Sequence, residues 1–231
     1  MSDERYAPPN AALGDPTRER GTGQIDLGEA FREAWGALWA NFPMLLGVWF
    51  LFGVLCLLAT LTVVGFFVVV PVLAWGATRF TLNVIDGGGE TSDLFSGFSD
   101  FGRVLGTMLV LGVAIVFLYF IGQSITAVGQ LSGSGLLSLI GGVANLAWGL
   151  GVMPRLAFVW YYAVDQGLAP VEAIQTSWNA TADQKLTCVL LGVLSGVIPL
   201  IGVLCLVVGV IPAVMLAYLL QGAAYRQLAG R

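Results

Sequence analysis

The sequence contains no histidine. That absence removes the Ser-His dyad, the HExxH zinc site and the commonest proton relay together, because each needs an imidazole that changes charge near neutral pH. Charge of either sign is scarce: ten Lys and Arg and fourteen Asp and Glu make up 10% of the 231 residues, against about 25% in an ordinary soluble domain. The net charge of −4 and the scatter of the basic residues exclude nucleic acid as a partner and a polybasic lipid-binding tail. Every carboxylate falls at or beyond the end of an apolar run. An intramembrane aspartyl protease would therefore lack paired acids at depth, and a proton- or sodium-coupled carrier would lack its midplane carboxylate. Cysteine is limited to Cys56, Cys188 and Cys205, without CxxC or metal-ligand spacing, and each reads as a small buried hydrophobe. No metal, cofactor or catalytic residue is implied, and an enzyme is not expected.

What the chain has in excess is apolar length. Hydrophobic residues make up 57% of it, and Gly occupies 31 positions. Apolar runs recur near the roughly 20 residues that cross a hydrocarbon core, which predicts an all-α integral membrane protein. We place six transmembrane helices, at 44–61, 63–84, 104–128, 136–162, 186–204 and 206–225, paired as three hairpins. The turns inside the hairpins carry no charge; all 24 charged residues fall on the other face of the bilayer. Because Lys and Arg accumulate in short cytoplasmic loops, both termini are expected in the cytoplasm of a bacterial inner membrane. Residues 1–25 are polar, with Pro, Gly and mixed charge and no apolar h-region, and read as a disordered cytoplasmic tail rather than a signal peptide. The transmembrane domain runs from 26 to 226, and 227–231 form the cytoplasmic C-terminus.

The spans suggest an internal triplication, with units 26–84, 86–164 and 165–226, each a short interfacial amphipathic helix followed by a hairpin. In the first, Leu27, Phe31, Trp35, Leu38 and Trp39 share a face opposite Glu29, Arg32 and Glu33. In the second, Ser92 caps a helix carrying Leu94, Phe95, Phe98 and Phe101; in the third, Pro170 opens a helix carrying Val171, Ile174 and Trp178. Arg79, Arg155 and Arg226 stand at corresponding inner ends of the return helices, with Gly76, Gly151 and Gly222 just before them. Pro71, Pro154 and Pro212 fall inside those helices, where each should kink the helix or free carbonyls.

These features define the candidate site residues. Arg79, Arg155 and Arg226, with Trp35, Trp39 and Trp178, could bind lipid headgroups or a partner, or the arginines could be interfacial anchors paired with Asp86 or Asp165. Arg155 is the first choice. The polar residues Asn83, Gln123, Ser124, Asn145, Ser195 and Gln221 could line a cavity between units or hydrogen-bond between helices. Ser132 to Gly135 is a flexible connector, and Gly192 with Gly196 favours packing within the monomer.

Pro154-Arg155, then Asp165-Gln166-Gly167, Pro170-Val171-Glu172-Ala173-Ile174 and Ser177-Trp178, resemble a pattern in YciC-like bacterial membrane proteins. The same pattern occurs in the membrane domain fused to some glycerophosphodiester phosphodiesterases. The resemblance is sharpest over 154–185 and implies a multi-span inner-membrane fold rather than a reaction. The expected function is that of a non-enzymatic scaffold or accessory protein whose cytoplasmic rim binds membrane lipids or another membrane protein. A small uncoupled channel or carrier for a small molecule or lipid is the alternative.

Overall fold

The computed structural model describes residues 23–204 and 206–230, and every element among them is helical. Asp26 opens α1 (Leu27–Ala40): its carboxylate accepts from the amides of Gly28 and Glu29 at 2.8 and 3.0 Å, satisfying two donors that the first turn leaves free. The chain turns at Asn41 into α2 (Phe42–Thr60). It returns through a π-helical turn (Gly65–Val69) that leads into α3 (Val70–Ile85). Pro71 is the second residue of α3, directly after the π-helical turn, so it supplies no amide where one kind of helix gives way to the other. A short 3-10 helix (Thr91–Phe95) and α4 (Ser96–Ser99) precede α5 (Phe101–Leu131). The 31 residues of α5 reach about 46 Å at ~1.5 Å each, well beyond the ~30 Å hydrocarbon thickness. Then come α6 (Gly135–Gly151), α7 (Met153–Asp165), α8 (Pro170–Ala180), α9 (Lys185–Leu204) and α10 (Leu206–Ala229).

Five stretches are long and apolar enough to cross a bilayer: Phe42–Thr60, Gly65–Ile85, Phe101–Leu131, Gly135–Asp165 and Lys185–Leu204. This architecture is compatible with a multi-pass membrane protein. The last expected span, 206–225, falls within the 24-residue α10. The fourth is not one continuous helix: it breaks at Val152, where Pro154 enters α7 near its start. Pro212 stays inside α10, and Pro199 lies inside α9.

Helices α5 and α6 pack on each other, as do α9 and α10. Each interfacial segment lies against a return helix. The 3-10 turn and α4 pack on α3, α8 packs on α7, and α1 packs on α10, bringing the first helix to the last. Small residues make these seats. Ala30, Ala34 and Leu38 of α1 are buried, as are Ala173 and Ser177 of α8. A Cβ on Gly97 of α4 would meet the Val72 carbonyl oxygen at 2.2 Å, and one on Gly76 would meet that of Leu94 at 1.8 Å. Glycine is thus required at both contacts, because backbone atoms cannot yield. Gly222 is likewise tight, at 2.6 Å from the Ile85 Cδ1, but Gly151 has open space around it and is not equivalent to Gly76 and Gly222.

The buried core gathers on the C-terminal parts of α3, α7 and α10, where Trp75, Phe80, Phe158, Leu219 and Tyr225 are closed off. By contrast α5 buries only Val104, Thr107, Gly122 and Gly129, and α6 only Gly141. Their remaining surface is a continuous apolar face including Leu109, Val113, Phe117, Leu139 and Val143, the kind of patch a soluble protein does not expose.

Residues on either side of position 25 meet the core. The Ile25 amide donates to Gln184 Oε1, the Asp26 amide donates to Gln227 Oε1 at 2.8 Å, and Ile25 is itself buried. The boundary expected at 25 therefore falls inside an ordered strap, and the rest of the expected tail, 1–22, lies outside the described residues.

Candidate functional site

Arg155 is the third residue of α7, and α8 covers it. Its Nε donates to Thr181 Oγ1 at 3.1 Å, and one Nη donates to the Trp178 carbonyl at 2.6 Å. The guanidinium carbon lies 3.6 Å from the centroid of the Trp178 ring. Ser177 Oγ donates to the Arg155 carbonyl, and Thr181 Oγ1 donates to the Ser177 carbonyl at 2.8 Å. Arg155 is only 6% exposed. Among the described residues no carboxylate comes within ion-pair distance of it, and its second Nη makes no hydrogen bond. A carbonyl, a hydroxyl and an aromatic face partly compensate the desolvated cation. No full negative charge does so.

The other two arginines are occupied. Arg226, at the end of α10, donates through one Nη to Asp165 Oδ1 at 2.8 Å and through the other to Asp86. Tyr225 donates to the second Asp165 oxygen at 2.7 Å and accepts from Gln166 Nε2 at 3.4 Å. This cluster joins the C-terminal ends of α3, α7 and α10. Arg79 lies 3.6 Å from Asp100, which Arg103 shares at 3.3 Å, and these two arginine side chains are about 40% exposed. The three candidate arginines therefore do not occupy equivalent positions. Arg226 is an internal clamp with its Nε unbonded, Arg79 belongs to a surface triad, and Arg155 is the one of the three without a carboxylate partner among the described residues.

Met153 and Pro154, the two residues before Arg155, form one wall of an apolar groove of about 400 Å³ that continues along Gly149, Leu150, Gly192 and Val193; Arg155 itself is not in its lining. Gly192 packs on the Pro154 ring at 3.2 Å from an ideal Cβ, a contact within the monomer; Gly196 has open space.

The interfacial segments turn their aromatic residues outward. Phe31, Trp35 and Trp39 are 41, 46 and 56% exposed and stack in a row that continues to Phe42, with centroids 5.2–6.0 Å apart. Phe95, Phe98 and Phe101 repeat this exposure, as do Val171 and Trp178. Leu38 and Leu94, expected on the same faces, point inward instead. Ser92 is not the cap of its segment: Glu90 and Asp93 close a capping box there, and Ser92 donates to Glu90.

The polar set divides. Ser195 and Gln221 line a cavity of about 410 Å³ between α3, α7, α9 and α10, together with Thr78, Trp160, Tyr161 and Tyr218. Asn83, Gln123 and Asn145 do not belong to its lining. Asn83 donates to Asp93 at 2.9 Å, holding the 3-10 turn. Asn145 fills the space opposite Gly122 on the α5–α6 contact, where its Oδ1 is buried without a hydrogen bond. Gln123 is half-buried on α5, and Ser124 donates to the Phe120 carbonyl of its own helix. Ser134, in the Ser-Gly connector, accepts from the Leu137 amide as the N-cap of α6.

Sequence reasoning missed Thr181 and Ser177 as partners of Arg155, and Thr78, Tyr161 and Tyr218 as cavity residues. The spacing of Ser177 and Thr181, four apart on the small-residue face of α8, was the available signal. Compared with protein-family models, characterised proteins and solved structures, the chain matches none. The resemblance to YciC-like proteins accordingly rests on the residues quoted from 154 to 178.

Proposed function

We propose that the chain is a non-enzymatic, six-span protein of the bacterial inner membrane, with both termini cytoplasmic, that binds an anionic lipid headgroup at Arg155 on its cytoplasmic rim. It acts as a scaffold or accessory protein rather than a catalyst. One observation carries the reading: a buried guanidinium without a carboxylate, open at one Nη, beside an apolar groove able to take an acyl chain. A buried cation left unpaired costs several kcal/mol, and a headgroup phosphate supplies the missing charge. Outward aromatic rows on the first two segments, and the exposed Val171 and Trp178 of the third, support a headgroup-level position for the same rim.

The ring of interfacial segments supports the triplication, since each packs on the return helix of the unit before it, with α1 on α10 completing the cycle. The clustering of Asp86, Asp165, Arg226, the strap 23–26 and Gln227 at one end supports a single charged, cytoplasmic face.

The test is the lipid that co-purifies with the protein in mild detergent. Arg155→Gln should lose most of the bound anionic phospholipid, while Arg79→Gln keeps it. Added inorganic phosphate should fail to displace lipid from the wild type, because it lacks the chain that fills the groove. Equal anionic lipid in wild type and Arg155→Gln would overturn the proposal.

A further inference from the structure

The cavity between α3, α7, α9 and α10 presents hydrogen-bonding groups with nothing to bond. Ser195 Oγ is buried and has no partner. Tyr218 and Gln221 also line the space, and neither side chain makes a hydrogen bond among the described residues. Thr78 and Tyr161 donate outward, to the Ala74 carbonyl at 3.0 Å and the Tyr218 carbonyl at 3.4 Å, so each keeps acceptor capacity. Ser195 is ten residues into α9, about 15 Å along the helix from Lys185 and so near the middle of the bilayer. There an unsatisfied buried polar group such as Ser195 Oγ costs several kcal/mol, and with the polar side chains of Tyr218 and Gln221 in the same lining it calls for an occupant.

The chemistry of that occupant follows from the lining. No ionised side chain contributes to it, which leaves neither cation nor anion a counter-charge. Two hydroxyls and a primary amide each donate and accept, a combination matched by hydroxyl groups on the ligand. The Trp160 ring, with Ala74, Ala157 and Val214, offers an apolar wall suited to the C–H face of a polyol or sugar ring. At ~30 Å³ per water the volume equals about fourteen waters, enough for such a molecule.

We propose that this cavity binds an uncharged, polyhydroxylated small molecule between glycerol and a monosaccharide in size, held by Ser195, Tyr218 and Gln221. The cavity adjoins the Pro154 groove at Ala157, but its polar lining does not include Arg155 and the proposal does not depend on lipid binding there.

The experiment is thermal unfolding of the purified full chain against concentration series of glycerol, erythritol and glucose, with choline and acetate as charged counterparts. At least one neutral compound should raise the midpoint along a saturable curve, and Gln221→Leu should weaken that apparent affinity about tenfold, as expected for one or two lost hydrogen bonds. Saturation and the variant separate binding from the general stabilisation that polyols give by exclusion. Ser195→Ala, a smaller change, serves the same purpose if Gln221→Leu does not fold. The proposal is overturned if no neutral compound gives a saturable shift, if the shift survives in both variants, or if only choline or acetate produces it.

Discussion

Arg226 and Asp165 face each other across the α7–α10 contact, Nη1 to Oδ1 at 2.8 Å, with both side chains about nine-tenths buried. Asp86, the second carboxylate on the same guanidinium, is 39% exposed. Removing one partner from a buried pair leaves an uncompensated charge and costs about 3–5 kcal/mol, whereas exposed pairs contribute roughly 0–1 kcal/mol. Asp165→Asn should therefore destabilise the protein severely and Asp86→Asn only mildly, as read by detergent melting of the two variants. Comparable losses would mean that solvent screens both carboxylates alike.

The contact between α3 and the 3-10 turn makes a steric prediction. Gly76→Ala places its methyl within 2 Å of the Leu94 carbonyl oxygen and should cost about 1–3 kcal/mol or more. Gly142→Ala, on the open face of α6, meets nothing and should be neutral or stabilising by up to about 1 kcal/mol through helix propensity. A folding assay that ranks them equally would dissolve the close approach.

Trp178 contacts Arg155 in two ways: the ring stacks on the guanidinium and the backbone carbonyl accepts a hydrogen bond. Trp178→Leu removes the first and keeps the second, so a loss of only about 0.5–2 kcal/mol is expected. Thr181→Val deletes the Nε acceptor instead. The double variant, measured against the singles, should be non-additive, because both contacts hold one side chain.

The outward row of Phe31, Trp35 and Trp39 predicts the depth of α1. In nanodiscs, variants retaining Trp35 or Trp39 as the sole tryptophan should be quenched most by lipids brominated near the headgroup. One retaining Trp75, which is fully buried, should be protected. Equal quenching at all three would place α1 away from the membrane.

The topology has its own test. On a background lacking Cys56, Cys188 and Cys205, a cysteine at Ser134 should be labelled from the periplasm, and cysteines at Ser92 and Gln166 from the cytoplasm. Labelling of Ser92 from outside would end the six-span arrangement and the one-sided rim with it.

The apolar runs were legible because crossing a hydrocarbon core sets a length that composition alone reveals; Phe42–Thr60 and Lys185–Leu204 fall within a few residues of expectation. Arg155 was legible for a related reason, since few charged residues stand that close to an apolar run. The pairing of an arginine with Asp86 or Asp165 was legible too, and Arg226 meets both, but which arginine would do so depends on partners 61 and 140 residues away. Aromatic stripes drew attention to the outward faces of α1 and α8, yet the inward faces are written in Ala30, Ala34, Ala173 and Ser177. Such small residues signal nothing until a helix is seen against them. The cavity was half legible. Ser195 and Gln221 are conspicuous polar residues in apolar runs, but Tyr218 reads as an ordinary interfacial aromatic.

Because α1 finds its main seat on α10, the fold ties together distant stretches of chain: Asp26 and Gln227, which hydrogen-bond, are 201 residues apart. At roughly 5–20 residues per second, synthesis separates their emergence by about 10 to 40 s. Throughout that interval Ala30, Ala34 and Leu38 lack the α10 surface that they pack on in the folded chain. Nascent chains stalled before α10 carry α1 without the surface that covers its small-residue face.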